Sequence, residues 1–294
     1  MQTATMNRVE ALPVAARPVA RSRLARARAV AAHASLADCQ LCAHHCGVNR
    51  LAGEQGLCHA DAVPHVFHAQ MEVADELELI PSFAIAVSGC DLRCAFCITG
   101  ARSWNAKAGE PLAAATVAAR AEAALARGAR SITFLGGEVT IHLPYALEVV
   151  AELPDTAKLV WKTNGHGSFL SRAFLFGIFD VWCVDFKFGN DACAERLARV
   201  PGYSQTVRGN LLWAARQSDV IVRHLLMPGH VDCCWARVAA WLAAHLPGVK
   251  VNLRSGFWPG WQSHRHPELR QPPAEREIRR AWTMAEECGL NLIE

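Results

Sequence analysis

The sequence lacks the features that mark membrane, secreted and nucleic-acid-binding proteins. No apolar run approaches the roughly 18 residues that a membrane-spanning helix needs. The N-terminal region lacks the apolar stretch and small-residue cleavage site of a secretory signal. The net charge is only +3, so the charge balance gives no reason to expect nucleic acid or an acidic membrane as a partner. We therefore expect a cytoplasmic protein that binds neither nucleic acid nor membrane.

Cysteine, in contrast, is abundant, with twelve residues in the chain of 294. Because the cytosol keeps thiols reduced, cysteines at short spacings indicate metal ligation or catalysis rather than a disulfide framework. Seven of the twelve lie between residues 39 and 97. The other five are scattered, and we expect them to be small hydrophobic core residues, with no function assigned to the adjacent pair. They are Cys183, Cys193, Cys233, Cys234 and Cys288.

Three cysteines with the spacing CxxxCxxC follow the apolar run 83–87 directly. They are Cys90, Cys94 and Cys97. Iron–sulfur clusters select thiolate ligands, and three thiolates on one tight loop can hold three irons of a 4Fe–4S cube. The fourth iron then stays open, and it can bind a small molecule through amino and carboxylate groups. A zinc knuckle or an ordinary ferredoxin loop is the alternative, because a motif needs its structural context.

A second group of cysteines, here called the N-terminal cysteine group, precedes this loop. Its members are Cys39, Cys42, Cys46 and Cys58. Four such thiolates with turn glycines between them can form a tetrahedral site that organises a segment too short for its own core. Zinc would make the site a structural knuckle, and a second iron–sulfur cluster would make it an electron relay or a substrate anchor. Reduced thiols without a metal are the third alternative.

From residue 83 onward, short β-branched or aromatic runs alternate with longer amphipathic, alanine-rich runs. The predicted strands are 83–88, 131–135, 157–163, 179–185, 219–226 and 249–254. The predicted helices lie near 111–127, 143–152, 167–177, 204–217, 232–245 and 273–288. Alternation of strand and helix implies right-handed crossovers and a parallel sheet, so we expect an α/β fold, a partial (β/α)6 barrel of the TIM type.

The composition divides the chain into four parts. Residues 1–35 are rich in alanine and arginine but poor in large apolar groups, so we expect a mobile arm or a loosely docked helix. Residues 36–80 form a cysteine-rich, metal-binding extension. Residues 81–260 form the partial barrel, and 261–294 form a C-terminal helical extension. A hydrophobic content of 52% is enough for one large domain with a small appendage.

Polar or glycine-rich segments stand at the ends of the predicted strands that follow the cysteine loop. They contain Gly136, Gly137 and Glu138 after the second strand, Asn164 after the third, Asp185 and Lys187 at the fourth, and Arg223 at the fifth. Each segment alone fits an ordinary turn or salt bridge. In parallel α/β folds, however, the chemistry lies at the C-terminal ends of the strands. Four such segments at successive strand ends therefore indicate one site shared with the cysteine loop.

CxxxCxxC with the aromatic residue Phe96 before its last cysteine resembles the signature of the radical S-adenosylmethionine (SAM) enzymes. The resemblance implies that the three cysteines hold a 4Fe–4S cluster whose open iron chelates SAM. It also implies that an electron from an external donor, flavodoxin- or ferredoxin-like, cleaves SAM to a 5′-deoxyadenosyl radical. The residues that the resemblance assigns to cofactor binding are Phe96, Gly136, Gly137, Glu138, Asn164, Asp185, Lys187 and Arg223.

Over residues 39 to 260 the chain resembles the uncharacterised relatives of pyruvate formate-lyase activating enzyme. The matching segments are Cys39-Gln-Leu-Cys42, Cys46-Gly47, Gly53 to Cys58, Asp185-Phe186-Lys187 and Arg223 to Gly229. Lys162 departs from the pattern, since the activating enzymes have an aspartate there that helps to hold a monovalent cation. The loop after the last predicted strand departs as well. Its aromatic residues either cover a substrate or pack against the barrel mouth; they are Phe257, Trp258 and Trp261.

These resemblances imply a radical SAM enzyme, an oxidoreductase of the activating-enzyme kind. We expect its substrate to be a protein or peptide, through activation of a glycyl radical enzyme or peptide modification. A small metabolite is the alternative substrate. The alternative of another class is a non-enzymatic iron–sulfur or zinc protein that serves electron transfer or partner binding.

Overall fold

The computed structural model describes residues 19–74 and 76–293. Eight strands of these residues form one sheet, in which the spatial order follows the order in the chain. The strands are β1 (Val66–Glu72), β2 (Ser82–Val87), β3 (Ser131–Gly136), β4 (Leu159–Thr163), β5 (Val181–Asp185), β6 (Asp219–Leu225), β7 (Lys250–Arg254) and β8 (Asn291–Leu292). Strands β2 to β8 run parallel, and β1 pairs antiparallel with β2 at one edge. The expected α/β fold with an incomplete TIM-type barrel is confirmed.

The helices of the described residues lie before β1 and in the crossovers between the parallel strands. They are α1 (Arg21–Ala34), α2 (Ala101–Trp104), α3 (Ala114–Ala126), α4 (Leu143–Glu152), α5 (Phe169–Leu175), α6 (Asp191–Ala198), α7 (Tyr203–Ala214), α8 (Ala236–His245) and α9 (Glu275–Glu287). A π-helical turn, Val231–Trp235, leads into α8. In the part of the chain that the structure describes, none of these helices has both the length and the apolar character to cross a membrane.

The six predicted strands correspond to β2 through β7, but several other elements differ from the prediction. The crossover from β5 to β6 holds two helices, α6 and α7, where one was predicted, because α6 has only eight residues and is too short for a clear periodicity. The edge strands β1 and β8 were not predicted as strands. The segment expected to form a C-terminal helical extension thus also contributes a short strand beside β7.

Both faces of the parallel strands are buried, which is why the strands read as continuous apolar runs. All six residues of β2 are buried. On the helical side, Phe134, Trp161 and Phe179 pack together, with ring centroids 5.4 and 4.7 Å apart. The opposite side encloses a small cluster inside the barrel, made of Leu79, Val160, Val181, Cys183 and Ile221. Cys183 is therefore a core residue, as expected.

Helix α1 lies in the N-terminal segment for which either a mobile arm or a loosely docked helix was expected. Residues 1–18 of the expected mobile arm lie outside the described residues, whereas residues 21–34 form a helix that packs on α4. The buried positions of α1 are spaced by three or four: Arg21, Ala25, Ala29 and Ala32. Arg21 forms an ion pair with Asp180 at 2.8 Å. Residues 21–34 thus follow the second alternative, a docked helix, in which small alanines allow close packing and buried Arg21 anchors the first turn.

Candidate functional site

The cysteine loop, residues 88–97, begins where β2 ends. Cys90 and Cys94 are buried, and Cys97 is half-buried. Burial raises the pKa of Cys94 to about 12, and the nearby Lys187 opposes this while Cys97 adds to it. Burial likewise raises the pKa of Cys90, to which Asp91, Cys94 and Glu138 add. These thiols therefore need a strong positive partner to become thiolates, and the iron of a cluster would be one.

The two glycines after β3 bring that strand end against the cysteine loop. A Cβ on Gly136 would lie 2.1 Å from the carbonyl oxygen of Val87, and one on Gly137 would lie 1.9 Å from that of Gly89. The backbone NH of Glu138 donates to the same Gly89 carbonyl at 2.9 Å. In the structure these glycines allow close packing of backbone on backbone. The carboxyl end of β3 is thereby fixed beside Cys90.

Glu138 is buried, and protein groups surround its carboxylate. The carboxylate accepts hydrogen bonds from the backbone NH and hydroxyl of Thr140 at 3.0 and 2.5 Å, from the Thr163 hydroxyl at 2.7 Å and from the Asn164 NH at 2.7 Å. Burial raises its pKa to about 7, Asp91 adds to the rise, and the hydrogen bonds oppose it. Glu138 thus joins the ends of β3 and β4.

Asp91, within the cysteine loop, is the centre of a buried polar network that sequence reasoning missed. Its carboxylate accepts from the Asn164 amide at 2.7 Å and contacts His166 Nδ1 at 2.8 Å. Its carbonyl oxygen lies 2.9 Å from His44 Nε2. Burial alone would raise the pKa of Asp91, but the hydrogen bond and charge of His166 and the Asn164 amide hold it below its ordinary value. The network ties the cysteine loop to the turn after β4.

The charged residues at the ends of β5 and β6 form a second polar group. Strand register places Asp185 opposite Arg223. The Asp185 carboxylate lies 2.5 Å from Lys187 Nζ and 3.6 Å from Arg223 Nε. Burial would raise the pKa of Asp185, but these two cations lower it to about 2. Because the charge of Lys187 also acts to lower the pKa of Cys94, this group borders the cysteine loop.

Glu76 is a further residue that sequence reasoning missed. It lies in the connection from β1 to β2, is 0% exposed and enters the barrel. Its carboxylate is 3.1 Å from Arg223 Nε and 3.4 Å from Lys162 Nζ, and it accepts from the Asn252 amide at 3.3 Å. Lys162, which stands where the activating enzymes have an aspartate, thus forms an ion pair with a buried glutamate. The sequence gives no signal for this contact, because Glu76 lies in the irregular connection between β1 and β2, far along the chain from its partners.

The four cysteines of the N-terminal cysteine group line one small cavity together with Arg50 and Ile141. Arg50 is buried, lies 3.7 Å from the sulfur of Cys39 and donates to the carbonyl oxygen of Ile141 at 2.6 Å. A β-bridge joins Cys42 to Gly167, next to His166. The structure therefore brings these cysteines together and connects them to the Asp91 network.

The three aromatic residues after β7 have different surroundings. Phe257 is buried, with its ring centroid 6.2 Å from that of Phe96. Trp261 packs edge-on against Trp104 at 5.5 Å. Trp258 is 70% exposed. Phe257 therefore packs against the cysteine loop and Trp261 against α2, whereas Trp258 is largely exposed.

Together these groups form one continuous site at the carboxyl ends of β2 to β6. The donor set fits an iron–sulfur cluster, because three thiols stand on one loop with their sulfurs mostly shielded from solvent. The polar groups around it include carboxylates, an amide and cations. Such groups can bind the amino and carboxylate parts of an amino acid.

A sequence model of the radical SAM superfamily matches residues 85–242, more than half of the chain. An uncharacterized protein of Methanocaldococcus jannaschii is 29% identical over 267 residues, which cover 87% of this chain and 76% of that protein. No function is given by its name.

Two solved structures share the fold. Streptococcus suis SuiB, bound to the precursor peptide SuiA, has a TM-score of 0.53 at 14% identity, over 69% of this chain and 46% of SuiB. A radical SAM methyltransferase from Sphaerobacter thermophilus has a TM-score of 0.51 at 17% identity, over 71% of this chain and 64% of the methyltransferase. The chain thus spans less than half the length of SuiB, and at these identities the likeness concerns the fold alone.

Proposed function

The chain belongs to the radical SAM superfamily, whose members are enzymes, and from this premise we propose that it generates a radical from SAM and acts on a protein or peptide. The observation that carries the proposal is the position of Cys90, Cys94 and Cys97 at the carboxyl end of β2. When bound, the 4Fe–4S cluster and SAM supply the chemistry: one electron from a flavodoxin- or ferredoxin-like donor yields methionine and a 5′-deoxyadenosyl radical, which takes hydrogen from the substrate.

The residues of the chain position these groups. The three cysteines would hold the cluster, and Phe96, between Phe188 and Phe257, fixes the loop that carries them. Lys187 and Arg223 would bind the carboxylate of the methionine part of SAM by charge-assisted hydrogen bonds.

The remaining polar groups hold the site in shape. Asn164, fixed by Asp91, offers an amide beside Cys90, with 3.8 Å between its nitrogen and the sulfur. Asp185 and Glu138 would serve the ammonium of SAM. For Glu138 this requires exchange of one of its present donors, since four protein groups now donate to its carboxylate.

Reductive cleavage of SAM tests the proposed reaction. The full chain would be reconstituted with iron and sulfide without oxygen, then reduced with dithionite in the presence of SAM. We expect 5′-deoxyadenosine from the wild-type chain and from the matched control Cys288→Ala, but not from Cys94→Ala. An intact cluster that yields no 5′-deoxyadenosine would contradict the proposal and favour an electron-transfer protein.

The proposed substrate class, a protein or peptide, rests on two supports. The activating-enzyme resemblance at Asp185 and Lys187 is one, and it favours a glycyl radical enzyme or another polypeptide as the target. The exposed Trp258 beside the site is the other, because an accessible aromatic ring suits a polypeptide surface. SuiB was solved with a precursor peptide.

Deuterium transfer distinguishes a polypeptide substrate from a metabolite. Cells grown in deuterated medium would be lysed and separated into a macromolecular and a small-molecule fraction, and each would be incubated with the active enzyme and unlabelled SAM. We expect deuterium in 5′-deoxyadenosine from the macromolecular fraction, and its loss after treatment of that fraction with protease. Deuterium from the small-molecule fraction alone would contradict a polypeptide substrate.

We further propose that the N-terminal cysteine group holds a second metal centre, zinc or an iron–sulfur cluster. Its four cysteines line one cavity, and buried Arg50, 3.7 Å from the sulfur of Cys39, can balance thiolate charge. Metal analysis of Cys46→Ser tests this assignment, since loss of zinc identifies a knuckle and loss of iron identifies a cluster. Unchanged content of both metals would contradict it.

A further inference from the structure

Four potential metal ligands converge between the loop after β5 and the turn after β6. They are Cys193, His230, Cys233 and Cys234, here called the Cys–His cluster. Their ligand atoms all lie within 4.8 Å of one another, and three of the four residues are buried. The cluster lies outside the radical SAM cysteine loop and the N-terminal cysteine group. From the sequence its cysteines were expected to be hydrophobic core residues, and the structure instead gathers their sulfurs around one point.

Four of the six distances between the ligand atoms are close to the edges of a tetrahedron around zinc, and the other two are within 4.8 Å. Cys233 Sγ lies 3.8 Å from Cys193 Sγ and 3.9 Å from Cys234 Sγ. His230 Nδ1 lies 3.3 Å from the sulfur of Cys233 and 3.6 Å from that of Cys234. With Zn–S near 2.3 Å and Zn–N near 2.0–2.1 Å, tetrahedral zinc requires S–S edges of about 3.8 Å and S–N edges of about 3.5 Å.

The local backbone explains how two adjacent cysteines face one point. Successive side chains of an ordinary α-helix point about 100° apart, so neighbours diverge. Here the turn Val231–Trp235 is π-helical, with the NH groups of Cys234 and Trp235 both donating to the carbonyl oxygen of His230, at 3.0 and 3.2 Å. The wider turn brings both sulfurs to the imidazole. π-Helical turns are rare in proteins as a whole, but those that occur lie frequently at functional sites.

Asn190 supplies hydrogen-bond donors to the sulfurs. Its side-chain nitrogen lies 3.2 Å from the sulfur of Cys193 and 3.8 Å from that of Cys234, and it donates to the Cys233 carbonyl oxygen at 2.8 Å. Asn190 also caps α6, so Cys193 lies in the first turn of that helix, where the dipole favours a thiolate. Gly189 permits the two segments to touch, since a Cβ there would lie 2.3 Å from the Cys234 carbonyl oxygen.

The second ring nitrogen of His230 faces a carboxylate. Its Nε2 lies 4.0 Å from Glu268, a residue that forms an ion pair with Arg196. The Arg196 guanidinium also lies 3.5 Å from the same nitrogen. A carboxylate near the outer nitrogen is a usual surrounding of a metal-binding histidine, because that nitrogen then carries the proton; Glu268 fits this role, whereas Arg196 can only donate and instead pairs with Glu268.

We propose that the Cys–His cluster is a tetrahedral zinc site of the closed, structural type. Three thiolates and one imidazole are a common ligand set of structural zinc, and four protein ligands leave no position for a substrate. The ion would join the segment after Lys187 to the segment after Arg223. It would thereby fix two neighbouring strand ends at the mouth of the barrel.

Zinc content of the full chain, purified without oxygen, tests the proposal. We expect Cys233→Ser to lose one zinc per chain relative to the wild type, while its iron content after reconstitution is unchanged. The matched control Cys288→Ser changes a half-buried cysteine far along the chain and should keep the wild-type zinc content. Cys46→Ser, in the N-terminal cysteine group, should keep the zinc of the Cys–His cluster.

Equal zinc content in Cys233→Ser and the wild type would overturn the proposal, as would a Cys193–Cys233 disulfide in the anaerobic wild-type chain. If Cys233→Ser does not fold, His230→Cys replaces one ligand by another and keeps four. X-ray absorption at the zinc edge should then show unchanged zinc content with one nitrogen neighbour replaced by sulfur. An unchanged zinc coordination in His230→Cys would equally overturn the proposal.

Discussion

Replacing Glu76 by glutamine should destabilise the barrel strongly, although the substitution changes only one atom of the side chain. The carboxylate is 0% exposed and faces Arg223 and Lys162, whose side chains are 18% and 11% exposed. Glutamine keeps the shape of the side chain and its hydrogen bond with Asn252. The change therefore isolates the loss of one buried negative charge between two largely buried cations.

The structure indicates the size of the effect. Removal of one partner from a buried ion pair costs about 3–5 kcal/mol, because the other charge stays buried without its counterion. The lower end of this range applies to Glu76→Gln, because Arg223 keeps a second carboxylate, that of Asp185, at 3.6 Å. A loss of about 3 kcal/mol corresponds to a fall in Tm of roughly 6 to 12 °C for a domain of this size.

Thermal unfolding of the metal-free chain, followed by circular dichroism, measures this fall. The matched control is Glu78→Gln, the same substitution two residues away. Glu78 pairs with Lys250 at the surface, with both side chains about one third exposed, and such pairs contribute about 0–1 kcal/mol. Equal Tm values for Glu76→Gln and the wild type would refute the assignment of Glu76 as a buried counterion. An equal fall of Tm in Glu76→Gln and Glu78→Gln would show that the effect does not depend on burial of the ion pair, and would refute it as well.

Three further predictions concern other parts of the fold. Gly137→Ala should prevent the cysteine loop from binding its cluster in reconstitution, because its Cβ would meet backbone at 1.9 Å. Gly256→Ala, with no atom within 4 Å, should bind iron as the wild type does. Arg21→Ala should speed hydrogen exchange throughout α1, because it removes the buried ion pair with Asp180, whereas Arg26→Ala, at an exposed position, should not. Equal exchange rates in the two variants would contradict the role of Arg21 in anchoring α1. The pKa of Glu138 is raised to about 7 in the folded state. The free energy of unfolding should therefore fall as the pH rises from 4.5 to 7, because over this range the folded state holds a proton that the unfolded state has released. Denaturant unfolding at several pH values in this range should show that the free energy of unfolding falls with pH in the wild type and changes less in Glu138→Gln.

The sequence predicted the parallel sheet because each buried strand is a continuous apolar run and each crossover contains a long amphipathic helix. It missed α6, whose eight residues are too few to show a period, and for α1 it left a mobile arm and a loosely docked helix as alternatives. In α1 the apolar face consists of alanines, so the pattern gives little hydrophobic signal. Packing on α4 and the buried Arg21 decide its position.

The sequence also identified residues that the structure brings to one place, since strand ends converge in a parallel sheet. It missed Glu76, Asp91 and His166, because a buried carboxylate or imidazole is chosen by its three-dimensional partners. The Cys–His cluster was missed for a related reason: Cys193 and the adjacent pair are forty residues apart in the chain. The adjacency of Cys233 and Cys234 after a histidine was the available signal.

The central claim is that three cysteines hold a cluster whose open iron binds SAM, and electron paramagnetic resonance tests it most directly. The reconstituted chain would be reduced and its spectrum recorded with and without SAM, beside Cys97→Ala as a variant that lacks one ligand. The account predicts a 4Fe–4S signal in the wild type whose g-values shift when SAM is added. A signal that SAM leaves unchanged, or a wild-type signal retained in Cys97→Ala, would contradict it.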